Sequence, residues 1–163
     1  MKIRLAIRYW STPLLAVLML CAVWGICSST GYGHPMQLPL VEALVNGQGL
    51  TLAVAATPES RQSGLSGYDH LPENEGMLFV LPRPKPFSFW MKDTVLSLSI
   101  AFLDDQWRII SIEQMEPLKA DRIYQSPHPV RYAVEVNSGW FAAHRVQVGD
   151  VFEIQLPIGL RVE

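Results

Sequence analysis

The feature that most constrains the fold is a series of short apolar runs separated by turn residues. In the clearest of them, Leu96–Phe102, leucine, isoleucine and phenylalanine alternate with serine and alanine. Successive side chains of a strand point to opposite faces of a sheet, so this run predicts a strand with one face in the core. Asp104-Asp105 predicts a turn, and Trp107–Glu113 predicts the returning strand of a hairpin.

The other apolar runs follow the same scheme. Leu38–Val45 and Leu50–Thr57 flank Asn46-Gly47, and an Asn-Gly pair between two apolar runs is the strongest short-range signal of a hairpin. Further strands are predicted over Gly76–Leu81, Val130–Val136 and Val151–Pro157.

Two short helices interrupt the strands. Thr57 before Pro58 and Glu59 predicts a helix start, and nearby glycines limit this helix to residues 58–65. Asn137-Ser138 is expected to cap a second helix that continues to His144.

Two segments lack a strand pattern. The prolines of Pro82–Pro86 have no amide donor, so this segment is expected to be a loop or a bare edge. Gln114–Pro129 is a long irregular connection, which predicts a functional or flexible loop. Seven or eight strands and two short helices indicate a mainly β fold, either a small barrel-like domain or a two-layer antiparallel sheet.

The N-terminal segment differs from the rest of the chain. Lys2, Arg4 and Arg8 precede the apolar run Leu14–Ile26, and small residues follow, which is the pattern of a secretory signal. The run is shorter than the roughly 20 residues that span a bilayer, which favours cleavage over a permanent anchor. We expect an exported protein, periplasmic or extracellular, in contact with a membrane only through residues 14–26 if the signal is retained. The expected organisation is a signal or membrane segment at 1–31, a tether at 32–37 and a single domain at 38–163.

Composition excludes several classes of function. Cys21 and Cys27 both lie in the N-terminal segment, so the domain has no disulfide, thiolate nucleophile or sulfur-ligated metal. Neither cysteine follows a small residue, which disfavours a lipid anchor. Without residues 1–31 the chain has 10 basic and 15 acidic residues, a formal net charge of −5, which argues against nucleic acid as a partner.

Several motifs in a fixed order resemble those of the domain of unknown function 192 family. They are GLSGYDHLPENEGMLFVL, SFWMKDT, IAFLD, YAVEVNSGWF and VGD, and together they extend from about Leu50 to Val151. The resemblance implies a small, mostly β, barrel-like domain, often with an export signal. It implies no activity, because none is assigned to the family.

The chain departs from the family pattern at three places. Ser66-Gly67 stands where the family commonly has methionine and a basic residue, and Asp93 stands where it has asparagine. Ser97 and Ser99 replace a usual proline and aspartate. If that aspartate were a catalytic acid, this chain would lack it.

Pro86–Thr94 (PFSFWMKDT) passes from aromatic to polar residues and is the first candidate site. Trp90 offers a flat apolar face with one donor, and Lys92 offers a charge on a flexible stem. We predict a ligand-binding edge here, formed by Trp90, Lys92, Asp93 and Thr94. A turn is a sufficient structural account, with Asp93 bonding the amide two residues on. The open question is whether Asp93 neutralises Lys92 or leaves it to meet a ligand.

Three further residues, Glu135, Asn137 and Arg61, are candidates for this site. Asp93 and Glu135 are the candidates for an acid or base, and Glu135 shares a strand face with Arg131. The alternative is an ion pair of Glu135 with Arg131 on an outer sheet face. Asn137 and Arg61 are also expected to reach a ligand. Alternatively, Asn137 caps the second helix and Arg61 is solvated.

Other catalytic and metal chemistries find little support. The four histidines are far apart in sequence, and no Gly-x-Ser-x-Gly motif is present. We expect no metal and no cofactor.

Three functions remain open. The first is a binding or accessory module that recognises a small polar ligand or a partner protein at the Trp90 strand end. The second is a hydrolase-type enzyme using Asp93 or Glu135, and the third is a purely structural β module.

Overall fold

The computed structural model describes residues 37–163, within which the chain forms nine strands and two short helices. In chain order these are β1 (Leu40–Val45), β2 (Gln48–Ala55), α1 (Pro58–Ser63), β3 (Glu75–Lys85), β4 (Ser88–Phe89), β5 (Leu98–Leu103), β6 (Ile109–Met115), β7 (Tyr124–Gln125), β8 (Val130–Asn137), α2 (Trp140–Ala143) and β9 (Phe152–Ile154). Neither described helix has the length and apolar character needed to cross a membrane. The predicted signal segment and all of the predicted tether except Gln37 lie outside the described residues.

Seven strands form one sheet in the order β6-β5-β8-β3-β2-β1-β9, and β4 pairs with β7 in a second, two-stranded sheet. The large sheet curls into a half-barrel, so the predicted mainly β fold with two short helices is confirmed. Neighbouring strands are antiparallel except β2 and β3, which pair in parallel between Thr51↔Glu75 and Ala55↔Phe79. A parallel pair needs a crossover connection, and here α1 lies in that connection.

The β1–β2 hairpin has the predicted position. Asn46 and Gly47 both have positive φ, 49° and 75°, as the two central residues of a tight type I′ turn require. On its other side β1 pairs with β9, where Val45 faces Phe152.

Both faces of β5 are covered, and this overturns the expectation of one core face in the alternating run. Every residue of β5 is buried. Ala101 and Leu103 belong to a first apolar cluster, whereas Leu98, Ile100 and Phe102 belong to a second. The strand lies between β6 and β8 in the interior of the sheet, so its small side chains meet a core as well.

The proline segment continues β3 instead of interrupting it. β3 extends to Lys85, which pairs with Val130 across a register shift. The pairing of β3 with β2 ends at Phe79, so Pro82 and Pro84 lie beyond the end of β2. Because no strand residue of β2 lies opposite them, the absence of an amide hydrogen on these prolines breaks no hydrogen bond between β2 and β3.

The 114–129 connection is mostly irregular, as predicted, but its first two residues belong to β6 and it contains the short strand β7. Tyr124 is fully buried, and its hydroxyl accepts a hydrogen bond from the Glu116 amide at 2.9 Å. Arg122 forms an ion pair with Glu116 at 2.9 Å and lies over the Tyr124 ring.

Helix α1 begins as predicted, with Thr57 and Ser60 bonded reciprocally in a capping box. It ends at Ser63, two residues earlier than predicted, and the following C-cap residue, Gly64, has a φ of 50°. Helix α2 is capped by Gly139 without a side-chain bond, so the prediction that Asn137 caps it is wrong.

Candidate functional site

A cavity of about 370 Å³ opens on the side of the sheet covered by the second apolar cluster. Its lining comes from α1 and residues 64–66, from β4 with residues 90–92 and Thr94, and from Ile123 just before β7. Phe79 of β3 and Glu135 of β8 come from the large sheet. The volume is at the small end of the roughly 300–1,000 Å³ usual for ligand pockets.

Aromatic rings give this cavity a rigid apolar lining. The Phe89 ring packs edge-on against Phe79 at 4.8 Å between centroids and lies 4.4 Å from Phe87 and 5.7 Å from Phe102. Such contacts are worth about 1 kcal/mol each beyond their buried area. Phe87 and Phe89 follow the proline segment directly, and β4, which contains Phe89, is only two residues long.

Glu135 places a carboxyl group at this apolar surface. It is 5% exposed, and its strand partners are Met77 on β3 and Ile100 on β5. Burial raises the pKa of Glu135 to about 8, with no compensating charge or hydrogen bond from the described residues. Near neutral pH the group is therefore a carboxylic acid, which donates one hydrogen bond.

The alternative ion pair between Glu135 and Arg131 is absent among the described residues. The guanidinium of Arg131 lies 5.9 Å from the Tyr132 ring centroid, and its Nε is buried without a partner. The sheet face that carries Glu135 is covered by the second cluster and is not an outer surface.

Lys92 and Trp90 lie at the mouth of the cavity. Trp90 is 53% exposed and Lys92 is exposed, and both line the opening. No carboxylate of the described residues forms an ion pair with Lys92, so Asp93 does not neutralise it. Thr94 is buried, lines the cavity, and donates its hydroxyl to the Lys92 carbonyl at 3.4 Å.

Asp93 is not among the residues that line the cavity. Its φ of 58° places it in the left-handed region, which aspartate and asparagine tolerate best among residues with a side chain. Its carbonyl accepts bonds from the Ser66 hydroxyl at 3.2 Å and the Gly67 amide at 3.4 Å. The expected bond from its side chain to the amide two residues on is not among the described hydrogen bonds.

Arg61 lines the cavity, but its guanidinium is bonded elsewhere. Nη1 donates to the carbonyls of Ala56 at 2.7 Å and Val80 at 2.9 Å, and Nη2 donates to the Glu163 backbone oxygen. Partial burial lowers the pKa of Arg61, and Glu59 acts weakly in the opposite direction. The expectation of a solvated arginine is therefore wrong.

Asn137 also lies apart from the cavity. Its amide donates to the carbonyls of Leu71 and Pro72, each at 3.0 Å, and so holds the loop between α1 and β3. Ser99, where the family commonly has aspartate, bonds the Gly139 amide at 2.9 Å and lies on the strand face opposite Leu98.

Five of the seven predicted site residues thus meet at one cavity: Arg61, Trp90, Lys92, Thr94 and Glu135. Sequence reasoning missed Gln62, Ser63, Ser66, Ser88 and Ile123. The serines have the same pattern as turn residues, and Ile123 belongs to a segment without periodicity. No group of histidine, aspartate and glutamate in the described part could hold a metal ion.

Comparison with known proteins identifies the family of this chain. The family DUF192, described as an uncharacterized ACR, matches residues 41–154. No curated protein matches the chain.

Two solved structures are similar, each with 28% identity over 74% of this chain. One is a candidate transcription regulator from Sinorhizobium meliloti 1021, of which 98% is covered with a TM-score of 0.70. The other is a protein of unknown function from Novosphingobium aromaticivorans DSM 12444, of which 89% is covered with a TM-score of 0.68. With a family match over more than two thirds of its length, the chain belongs to the DUF192 family.

Proposed function

We propose that this protein is a binding module that holds a small, flat, mainly apolar molecule with a polar group in the cavity behind Trp90. One observation carries the proposal: the Glu135 carboxyl lies at an aromatic cavity without a hydrogen-bond partner among the described residues. Because Glu135 lines the cavity, its carboxyl group is available to a ligand, and a hydrogen bond at a largely desolvated carboxyl group favours binding. Apolar walls with a few polar groups are also the usual composition of small-molecule sites.

Lys92 supports a ligand that carries an anionic or hydroxyl group. Its ammonium is exposed at the mouth and forms no ion pair with a described carboxylate. The flat face of Trp90 beside it suits a planar molecule. The label of transcription regulator borne by one similar structure is not extended to this chain, because a net charge of −5 outside residues 1–31 opposes binding to DNA.

We place this binding after export, in the periplasm or outside the cell. The basic, apolar and small-residue succession in residues 1–31 supports an export signal. N-terminal sequencing of the protein from membrane and soluble fractions tests this. An intact Met1 in protein that remains in the cytoplasm would contradict it.

The binding proposal is tested by titrating the protein with planar aromatic carboxylates and amides and following its methyl groups by NMR. We expect shifts at Leu65, Met91, Leu98 and Ile123, which line the cavity, and none at Leu50 in the other cluster. Lys92→Ala should weaken binding of carboxylates about three- to tenfold, the size of one screened charge contact. Lys119→Ala is the matched control, because Lys119 is exposed and lies away from the cavity. Absence of any shift at the lining methyls would favour a purely structural module.

A second candidate function is acid catalysis by Glu135. A carboxylic acid held neutral in an aromatic pocket is a recurrent arrangement for a general acid. Asp93 has no part in this candidate, since it does not line the cavity. Hydrolysis of a chromogenic ester that is lost in Glu135→Gln, with a rate that falls as pH rises through about 8, would support catalysis. Equal rates in wild type and variant would exclude it for that ester.

A further inference from the structure

Building on the proposed function, we propose that the buried end of the ligand is a hydrogen-bond acceptor, an amide carbonyl or a carboxylate, received by the carboxylic acid of Glu135, and that cations are rejected near neutral pH. A protonated carboxyl group offers one O–H donor, which pairs with an acceptor. The protonation state of Glu135 therefore specifies the chemical class of the buried end of the ligand, whereas the shape of the cavity alone does not.

The groups around Glu135 support a preference for a hydrogen-bond acceptor over a cation. Its strand partners on β3 and β5 are Met77 and Ile100, both apolar. Arg131 shares its face of β8 but forms no ion pair with it. The other charged residues that line the cavity are Arg61 on α1 and Lys92 at the mouth, and both are cations.

Neither cation compensates Glu135. The guanidinium of Arg61 is directed to the carbonyls of Ala56 and Val80. Burial is the only cause that raises the pKa of Glu135 to about 8. Near neutral pH the lining therefore has positive charge, one neutral acid and no carboxylate. An acceptor or anion is favoured in such a cavity, and a cation is opposed.

Ionisation of Glu135 reverses this selectivity. Above pH 8 the group loses its donor and becomes a buried carboxylate. It then repels a carbonyl oxygen or a carboxylate and attracts a cation. A change of preferred ligand with pH is a signature that a purely shape-selective cavity would lack.

The test uses three planar probes of similar shape: benzamide (neutral), benzoate (anionic) and benzamidine (cationic). Dissociation constants are measured by NMR titration of the full domain at pH 6 and pH 9. At pH 6 we expect benzamide and benzoate to bind about tenfold more tightly than benzamidine, the effect of one buried hydrogen bond. At pH 9 we expect the order to reverse.

The Glu135→Gln side chain keeps a hydrogen-bond donor but does not titrate. At pH 9 this variant should therefore still bind benzamide and benzoate more tightly than benzamidine. Glu153→Gln, an exposed carboxyl on β9, is the matched control and should reverse as the wild type does. Binding of the probes without reversal, or with the same reversal in Glu135→Gln, would overturn this inference and leave the proposed function intact. Failure of all three probes to bind at either pH would overturn both.

Discussion

At the scale of single residues, Gly76 determines how closely two strands approach behind the cavity. A Cβ atom at Gly76 would overlap the backbone carbonyl oxygen of Glu135 and lie 3.0 Å from side-chain atoms of Leu52 and Val136. The backbone that carries Glu135 therefore rests directly on Gly76. Because a carbonyl in a ladder cannot move aside as a flexible side chain can, any larger residue must separate β3 from β8.

This contact predicts the effect of one added methyl group. Gly76→Ala should lower the free energy of unfolding by about 2–3 kcal/mol through overpacking, despite the better intrinsic propensity of alanine. Gly49→Ala on β2 is the matched control, since its Cβ would meet nothing within 4 Å. Urea denaturation measures both variants. Equal stabilities of the two would contradict the account of a forced close approach.

At the scale of elements, α1 depends on its attachments to the sheet. A helix of six residues has little stability of its own, and the capping box satisfies only its first turn. Arg61 binds it to β3 through the Val80 carbonyl and to the chain before the helix through the Ala56 carbonyl. Since Gln62 and Ser63 line the cavity, this attachment also fixes one wall.

Removing the guanidinium should therefore loosen the helix. Arg61→Met keeps much of the apolar stem and is expected to cost about 2 kcal/mol, because two carbonyls lose a charged donor at a partly exposed site. Hydrogen exchange should quicken at the Gly64 amide, which is bonded to the Ser60 carbonyl at 3.0 Å. Arg83→Met, at an exposed position of β3, is the control. Unchanged exchange at Gly64 would show that the capping box alone holds the helix.

Elements whose signals are local could be predicted from the sequence. The Asn46-Gly47 turn and the Thr57 cap depend on residues within a few positions of each other, and both are observed. Burial of Glu135 depends on Leu65, Phe89 and Met91, which pack on its face of the sheet from distant parts of the sequence. The period of the strand identified the face of Glu135 but could not show that another layer covers it. The parallel β2–β3 pairing was missed for the same reason, because no local pattern encodes a crossover.

At the scale of the whole molecule, Glu135 links folding stability to pH. Its pKa is about 8 in the folded state against 4.5 for an ordinary glutamate, so between these values the folded chain binds one more proton than the unfolded chain. The free energy of unfolding therefore falls as pH rises through this window, by about 1.4 kcal/mol per pH unit at most. Below pH 4.5 both states are protonated, and above pH 8 both are ionised, so the contribution no longer changes.

Glu135→Gln should remove this dependence. The stability difference between variant and wild type is expected to grow in favour of the variant from pH 4.5 to pH 8, reaching a few kcal/mol. Thermal or urea unfolding of both proteins across this pH range measures the difference. The other carboxyl groups are the same in both proteins, so their contribution to the pH dependence cancels. Glu153→Gln should give a flat difference. A flat difference for Glu135→Gln as well would mean that the carboxyl is solvated.

The pairing of β9 with β1 has a consequence for synthesis on the ribosome. Phe152 and Ile154 close the edge of a strand that was translated about a hundred residues earlier. At roughly 10 residues per second, β1 waits on the order of ten seconds for its partner. Through that interval one edge of β1 is open, and Leu40 and Leu44 are exposed on its outer face even in the finished fold. Nascent chains that stop before residue 152 should therefore be bound by chaperones or proteolysed, whereas released full-length chains should resist both.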